Sequence, residues 1–348
     1  MSAELTSKQI IQRVVDHQPV PRIGFEFVPP HRSDIHFVNG FPQTVKSPYP
    51  REYFGDFGHY DELLAQVPWF SGEVRLDGFG NIYGRLNGIT KGECIRGVLD
   101  DWDKLDQFSL PELDWSYPAR LKTQLEGCDK FVVSGLPVSI FSTLRDARLM
   151  DNALADTVLE TENVEAFLDI ITTRIEQVCR ALAGTGVDAI ETADDWGIQD
   201  RTFISPACFA TLFKPCYKRM CDAAHEAGLK VFMHSCGYNY ALIPHLIEAG
   251  VDTFQFDQPA VYPEEVLAKE FGKQASFYLP VDIQKIMPTG DRAIIEEGAR
   301  HMIDVFREHC GAFGGSLIVK DYPTWWDIGV QAEWANWARE ALIANSAL

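Results

Sequence analysis

The stretch "GLKVFMHSCGYNYALIPHLIEAGVDTFQFDQP", residues 228–259, holds the fold in miniature. A glycine opens a short apolar run, Leu229 to Met233, which reads as a buried strand. The run ends on His234, Ser235, Cys236 and Gly237. "YALIPHLIEAG" then reads as a short helix with a proline inside, stopped by Gly250. "VDTFQFDQP" is a strand again. Strand, helix and strand in such quick succession imply a parallel βαβ unit, because parallel neighbours need a crossover connection.

The rhythm extends in both directions. Upstream, "GVDAIETADDWG" (186–197) starts as a strand. "SPACFATLFKPCYKRMCDAAHEAG" (205–228) is a helix with Ser205 as N-cap, Pro206 at its first position and Pro215 as a bend. Downstream, helix and strand alternate through "YPEEVLAKEFG", "QASFYLPVD", "DRAIIEEGARHMIDVFREHCG" and "GSLIVK" to a closing helix, "QAEWANWAREALIAN". No dinucleotide-type glycine fingerprint accompanies them. The pattern therefore predicts an α/β fold, a (β/α)8 TIM-like barrel rather than an open sheet. Earlier units are "RIGFEF" (22–27), "KFVVSGL" (130–136) and the helix "NVEAFLDIITTRIEQVCRALAGTG" (163–186). Residues 28–129 are loop-rich, with "DGFGNIYGRL" (77–86) read as a hairpin. They are expected to form an N-terminal insertion that lids the barrel mouth. No linker or low-complexity segment interrupts the chain, so residues 1–348 are expected to form one domain.

Composition removes several function classes. The formal net charge is −19, and no basic face offers itself to phosphates, which argues against nucleic acid. The acidity serves solubility. No apolar run reaches the roughly 18 residues of a membrane span. The N-terminus, "MSAELTSKQIIQRVV", lacks an apolar signal-peptide core. The eight cysteines contain no CxxC pair, and are expected to be reduced in a cytoplasmic protein, mostly as small buried hydrophobes.

Three units begin alike: Gly186-Val187-Asp188, Gly228-Leu229-Lys230 and Gly250-Val251-Asp252. Counted from these glycines, the strands end on Glu191, Asp194 and Asp195, on His234 and Cys236, and on Asp257 and Gln258. The last strand ends on Lys320, Asp321 and Tyr322. In a barrel, chemistry gathers at the C-terminal strand ends. Residues two apart on a strand face the same way, so His234 and Cys236 can aim at one atom. A nitrogen and sulfur pair suits zinc, with the thiol bound as thiolate. Catalytic zinc takes three protein ligands, and Asp321, Glu191, Asp194, Asp257 and Asp282 are candidates for the third. The plainer reading is a buried histidine and a structural thiol, and HxC is too short a pattern to choose between them. Asp194 and Asp195 could also cap the following loop, and Asp188 and Asp252 read as solvated turn residues. His225 and His245 read as packing or surface residues. Trp325, Trp326, Tyr238, Tyr240, Phe79 and Tyr83 are candidates to line a pocket for a flat substrate, or else to be core.

These residues resemble the uroporphyrinogen decarboxylase superfamily, which includes cobalamin-dependent methyltransferases. The resemblance rests on "DGFGNIYGR", "DDWGIQDRTFISPACFATLFKPCYKRM", "AHEAGLKVFMHSCG", "LIEAGVDTFQFDQP" and "GSLIVKDYPTWWDIGV", with Asp194 to Pro259 its most specific part. It implies a (β/α)8 barrel. Decarboxylases of the superfamily carry an arginine-rich loop after the first strand; here "EFVPPHRSD" offers Arg32 alone. The corrinoid methyltransferase branch is the nearer likeness. Its methylcobalamin:coenzyme M members bind zinc through a His-x-Cys pair and a distant cysteine near the last strand. By resemblance, His234 and Cys236 take the first two positions. "GSLIVKDYP" has no cysteine; Asp321 or Tyr322 stands there instead, and Asp321 is the first expected replacement, as in O-demethylase methyltransferases whose zinc ligands include carboxylates.

The resemblance thus implies a zinc-dependent methyltransferase that moves a methyl group between a small methylated substrate, such as an aryl methyl ether, and the cobalt of a separate corrinoid protein. Asp194 and Asp257 are the expected acids for the leaving oxygen. "DIHFVNG" (34–40) falls one residue out of step with the corrinoid-binding signature DxHxxG and is read as coincidence, so the cobalamin is expected on the partner. The alternatives are a decarboxylase-like lyase and a non-catalytic ligand-binding barrel.

Overall fold

The computed structural model describes residues 5–44, 47–86, 88, 91–310 and 316–348. Gly311 and Gly315, read above as ending a helix and opening a strand, lie outside them. Eight strands form the main sheet: β1 Gly24–Glu26, β2 Ile35–Val38, β3 Phe131–Gly135, β4 Ala189–Ala193, β5 Lys230–His234, β6 Thr253–Gln255, β7 Ser276–Leu279 and β8 Leu317–Lys320. Each neighbour pair is parallel, in the order β1-β8-β7-β6-β5-β4-β3-β2. Helices cover the outside, as the alternating rhythm requires. The fold is the nearly closed (β/α)8 barrel.

Side chains that alternate inward fill the barrel: Ile35, Phe131, Val133, Ala189, Phe232, Tyr278 and Ile318 pack into one cluster. Its floor is sealed by helix α1, Ser7–Val15, whose Ile11, Val14 and Val15 enter the same cluster. Burying each such side chain stabilises the fold by about 1.5–3 kcal/mol. A larger core lies between strands and outer helices.

Three aspartates stand immediately before barrel strands, and all do the same thing. The Asp34, Asp188 and Asp252 amides donate to the carbonyls of Phe25, Val132 and Val231, on or beside the neighbouring strand. Their carboxylates accept the amide N–H of those same three residues, at 3.0, 2.9 and 2.8 Å. Each also carries a cation: Arg22 on Asp34, Lys8 on Asp188, and Lys230 on Asp252, where the His225 ring is hydrogen-bonded as well. Asp188 and Asp252 are therefore register staples rather than solvated turn residues. The "DIHFVNG" stretch has a structural role that accounts for its aspartate: Asp34 is fully buried and stands immediately before β2. Asp34 also stitches the β1–β2 seam, where no regular ladder runs.

Consequently the barrel takes its second strand from inside the stretch read as a loop-rich insertion. Beyond β2, a three-stranded antiparallel sheet forms from Glu73–Leu76, Ile82–Arg85 and Glu93–Arg96, with a small core of Leu63, Val67, Val74, Leu76 and Ile82. The hairpin turn predicted near Asp77 is present. Asp77 Oδ1 accepts the N–H groups of Phe79 and Asn81, and Asn81 Nδ2 donates to Oδ2. This sheet docks on helix α2, Ile140–Arg148, through Tyr83 Oη to Asp146 (2.6 Å), Leu99 N to Ala147 O (2.9 Å) and Arg148 Nη1 to Leu99 O (2.6 Å).

The long helix after β4 is not simply bent at Pro215. Phe209–Phe213 form a π-helical turn between the Ser205-capped start and helix α3, Lys214–Glu226. Proline lacks an N–H and its ring crowds the carbonyl four residues back, and a widened turn relieves both problems.

Candidate metal centre

His234 ends β5, and Cys236 follows on the same side. The His234 Nε2 stands 3.5 Å from Cys236 Sγ and 3.5 Å from Asp195 Oδ1. One ligand atom from each of Asp195, His234 and Cys236 lies within 4.8 Å of the others, the only such grouping among the described residues. Tetrahedral zinc with bonds of about 2.1 Å to N or O and 2.3 Å to S holds its ligand atoms about 3.4–3.6 Å apart. Both His234 spacings match that figure, so the donor set fits zinc in chemistry and in dimension.

Backbone contact brings these residues together. A Cβ on Gly237, whose φ is +76°, would sit 2.0 Å from the Gly197 carbonyl oxygen, and one on Gly197 would sit 2.4 Å from the Tyr238 carbonyl oxygen. The loops after β4 and β5 touch at bare backbone, which only glycine permits. Tyr238 N donates to Ile198 O at 2.6 Å across the same contact. Asp195 thereby reaches Cys236, and its Oδ1 accepts the Cys236 N–H at 2.7 Å.

A second ring of groups aims the imidazole. His234 Nδ1 is hydrogen-bonded to Gln255 Oε1. Gln255 Nε2 donates to Asp257 Oδ1 at 2.8 Å, and Lys320 Nζ donates to the same oxygen at 3.2 Å. Holding Nδ1–H on an acceptor turns Nε2 toward the cluster, the usual arrangement behind a metal-bound histidine.

The electrostatics favour a cation. Burial alone would lower the His234 pKa, but hydrogen bonds to Asp195 and Cys236 and the nearby negative charge of Cys236 and Asp257 outweigh it, so it is pushed up to about 11. Burial would raise Asp195, yet His234, the Cys236 N–H and Arg145 hold it below the ordinary range. Burial pushes Glu191 up; Lys320 and His234 oppose this, and Asp257 and Glu26 reinforce it. Glu26 is raised by burial as well, against a hydrogen bond from Tyr278 Oη at 2.9 Å. A ligand set that grips a proton so firmly exerts the same pull on a divalent metal.

The other acids named from sequence have different employment. Asp194 is fully buried; Oδ1 accepts the N–H groups of Phe141 (3.0 Å) and Ser142 (2.7 Å) at the start of α2, and Oδ2 accepts Tyr217 Oη (2.6 Å). Tyr217 in turn accepts the Trp196 indole N–H at 2.9 Å. Asp282 accepts the N–H groups of Gln284, Lys285 and Ala260. Asp321 pairs with Arg339 at 3.0 Å and accepts Val28 N–H at 2.9 Å. The structure does not bring Asp321 to the cluster. Lys320 takes the inward position at the end of β8, and alternation sends Asp321 the other way. Asp195, absent from the sequence candidates for third ligand, is the carboxylate that arrives. The signal was the Asp194–Asp195 doublet, of which alternation lets only one face the mouth.

Among the aromatics, Tyr238 stacks on Tyr240 and Tyr262 just past Cys236. Phe79 and Tyr83 line an opening beside α2, Trp325 packs near Asp321, and Trp326 is exposed. His225 is half-exposed on Asp252, and the His245 ring lies against Phe209. All eight cysteines are free. Among the described residues no helix is long and apolar enough to cross a membrane.

Barrel and site together define a (β/α)8 protein with a candidate metal centre at the C-terminal ends of its strands. The profile of the family described as Uroporphyrinogen decarboxylase (URO-D) matches residues 95–313, more than half of the chain. The protein belongs to that family. Its likeness within the family runs toward methyltransferases. A methylated-thiol–coenzyme M methyltransferase of Methanosarcina mazei is 24% identical over 174 residues, 49% of this chain and 45% of that protein. The match thus spans less than half of the relative's length. A solved methyltransferase structure from Methanosarcina mazei superimposes with a TM-score of 0.61 over 98% of this chain and 99% of that one, at 15% identity, which establishes the shared fold.

Proposed function

We propose that the protein is a zinc-dependent methyltransferase that moves a methyl group between a small methylated substrate and the cobalt of a corrinoid carried by a separate protein. An aryl methyl ether is the substrate class of first choice. The observation that carries this reading is the convergence of Asp195, His234 and Cys236 at the barrel mouth, with His234 at zinc-like spacing from both partners. Similarity to methyltransferases of the same family supports methyl transfer as the reaction class.

Zinc bound there supplies Lewis acidity at the heteroatom that gives up or accepts the methyl group. The chain's own residues do the rest. His234 offers Nε2 because Gln255 engages Nδ1. Cys236 is positioned by the Gly197–Gly237 contact, and Asp195 replaces the expected Asp321 as third ligand. Proton handling falls to Asp257 and Glu191, which face the barrel interior beside Lys320. Asp194, with both oxygens occupied, is assigned to holding α2 in place.

Metal analysis combined with a transfer assay tests this. The expected result is one zinc per chain, lost in His234→Ala and Cys236→Ala and weakened in Asp195→Ala. Methyl transfer from a panel of ethers to a Co(I) corrinoid should fall by about 10³-fold or more with the metal. A zinc-free preparation with full activity would overturn the reading.

A further inference from the structure

The three-stranded sheet docked on α2 leaves an opening of about 400 Å3 lined by Tyr83, Glu93, Cys94, Arg145, Asp146 and Met150. That is the size of a small-molecule site. Most of its polar groups are already committed. Asp146 accepts the Tyr83 hydroxyl on one oxygen (2.6 Å) and Arg145 Nε on the other (3.0 Å), and its carbonyl accepts the Cys94 thiol at 3.2 Å. Arg145 and the exposed Glu93 carboxylate are the exceptions, and of the two Arg145 is the cation. Its Nε is tethered, while Nη1 and Nη2 have no hydrogen-bond partner among the described residues. The guanidinium is thus fixed at its stem with its outer edge free.

This edge is tied mechanically to the metal centre. Arg145 lies one helical turn after Ser142, whose Oγ donates to the Ala193 carbonyl at 2.9 Å. The start of the same helix rests on Asp194, the residue before the metal-site aspartate. The charges of Arg145 and Asp195 are close enough to perturb each other. One strand end therefore presents Asp195 and anchors the helix that presents Arg145.

We propose that the outer edge of Arg145 binds the carboxylate of the methyl-bearing substrate, so that acidic methylated molecules, methoxybenzoates among them, are preferred over neutral ones. This rests on the methyltransferase reading above. A guanidinium edge matches a carboxylate with two parallel hydrogen bonds, which no single ammonium can do. In a chain of net charge −19, an anionic substrate needs a cation placed where it binds. The tether through Asp146 and Tyr83 fixes that cation beforehand, which lowers the ordering cost of binding.

Calorimetry on the zinc-loaded protein, with benzoate, 4-methoxybenzoate and 4-methoxybenzamide as probes, tests the proposal. The wild type should bind both carboxylates about tenfold or more tighter than the amide. Arg145→Gln should bring the carboxylates down to the amide, and Arg145→Lys should retain part of the preference. Equal zinc content and equal Tm in all three proteins show that the fold is intact. The proposal is overturned if Arg145→Gln keeps the preference, if the amide binds as well as the acids, or if neither carboxylate binds. Benzoate has no methyl group, so Arg145-dependent binding of benzoate stands even if no ether methylates a Co(I) corrinoid. Transfer from methoxybenzoates that is untouched by Arg145→Gln would keep the methyltransferase reading and overturn the role of Arg145.

Discussion

At the N-terminal end of the barrel, Asp34, Asp188 and Asp252 each serve a backbone N–H of the neighbouring strand and a cation. At the C-terminal mouth, Asp195, Asp257, Glu191 and Glu26 share one lysine and one imidazole, with Arg145 acting on Asp195 from the side. The same residue types are at one end structural and at the other chemically available. The difference lies in how fully each carboxylate is satisfied. Burial of an anion is tolerated when hydrogen bonds and a counter-charge offset it. Where they are too few, the surplus negative charge attracts protons, metals or substrate. Asp194, Asp282 and Asp321 sharpen the point: they stand at the mouth in sequence, yet behave like the staples below.

The largest effect should come from breaking a staple. Asp34→Ala leaves the largely buried Arg22 without its partner and opens the β1–β2 seam, and should cost about 3–5 kcal/mol of stability in urea unfolding. Asp188→Ala and Asp252→Ala, whose carboxylates are slightly exposed, should cost about 1–3 kcal/mol. All three should keep full zinc content while folded; loss of metal in any of them would erase the distinction between the two ends.

At the mouth, Gln255→Ala should weaken zinc binding by about 10–100-fold in a competitive chelator titration, with little change in Tm of the metal-free chain. An unchanged affinity would remove Gln255 from the metal centre.

Proton linkage gives a smaller, signed effect. His234 with its pKa pushed up to about 11 holds both ring protons at neutral pH, so metal binding at Nε2 must expel one. Zinc affinity should therefore rise with pH across the neutral range, and about one proton per chain beyond any released by the cysteine should appear in calorimetry run in buffers of different ionisation enthalpy. His234→Ala should abolish that proton.

The least effect on the metal is expected at Asp321. Asp321→Ala breaks a buried pair with Arg339 and should lower stability, yet leave zinc stoichiometry at the wild-type value. Loss of zinc there would restore Asp321 as the third ligand in place of Asp195.

Much of the barrel was legible because its signals are local. Short apolar runs opened by glycine, Ser205 before Pro206, and the turn at Asp77 each state their structure within a few residues. β2 was not legible: Ile35–Val38 is four residues long, partly exposed, and sits in a stretch without helical neighbours. The staples were hidden because their partners, Phe25, Val132 and Val231, are distant in sequence or belong to another strand.

The site divides along the same line. That His234 and Cys236 face one point follows from the two-residue period of an extended chain, and the sequence by itself determines it. The third ligand follows from no local rule. Asp194 and Asp195 are adjacent, so one must face the helices and the other the mouth, and only the β4–β5 register tells which. Asp195 wins because β4 is the strand beside β5 and Gly197 meets Gly237 there. Asp321 loses because β8 stands three strands away around the barrel and Arg339 holds its carboxylate on the outer side. Pairing of distant strands and the close approach of two backbones are properties of the folded chain, and they decide which acid completes the centre.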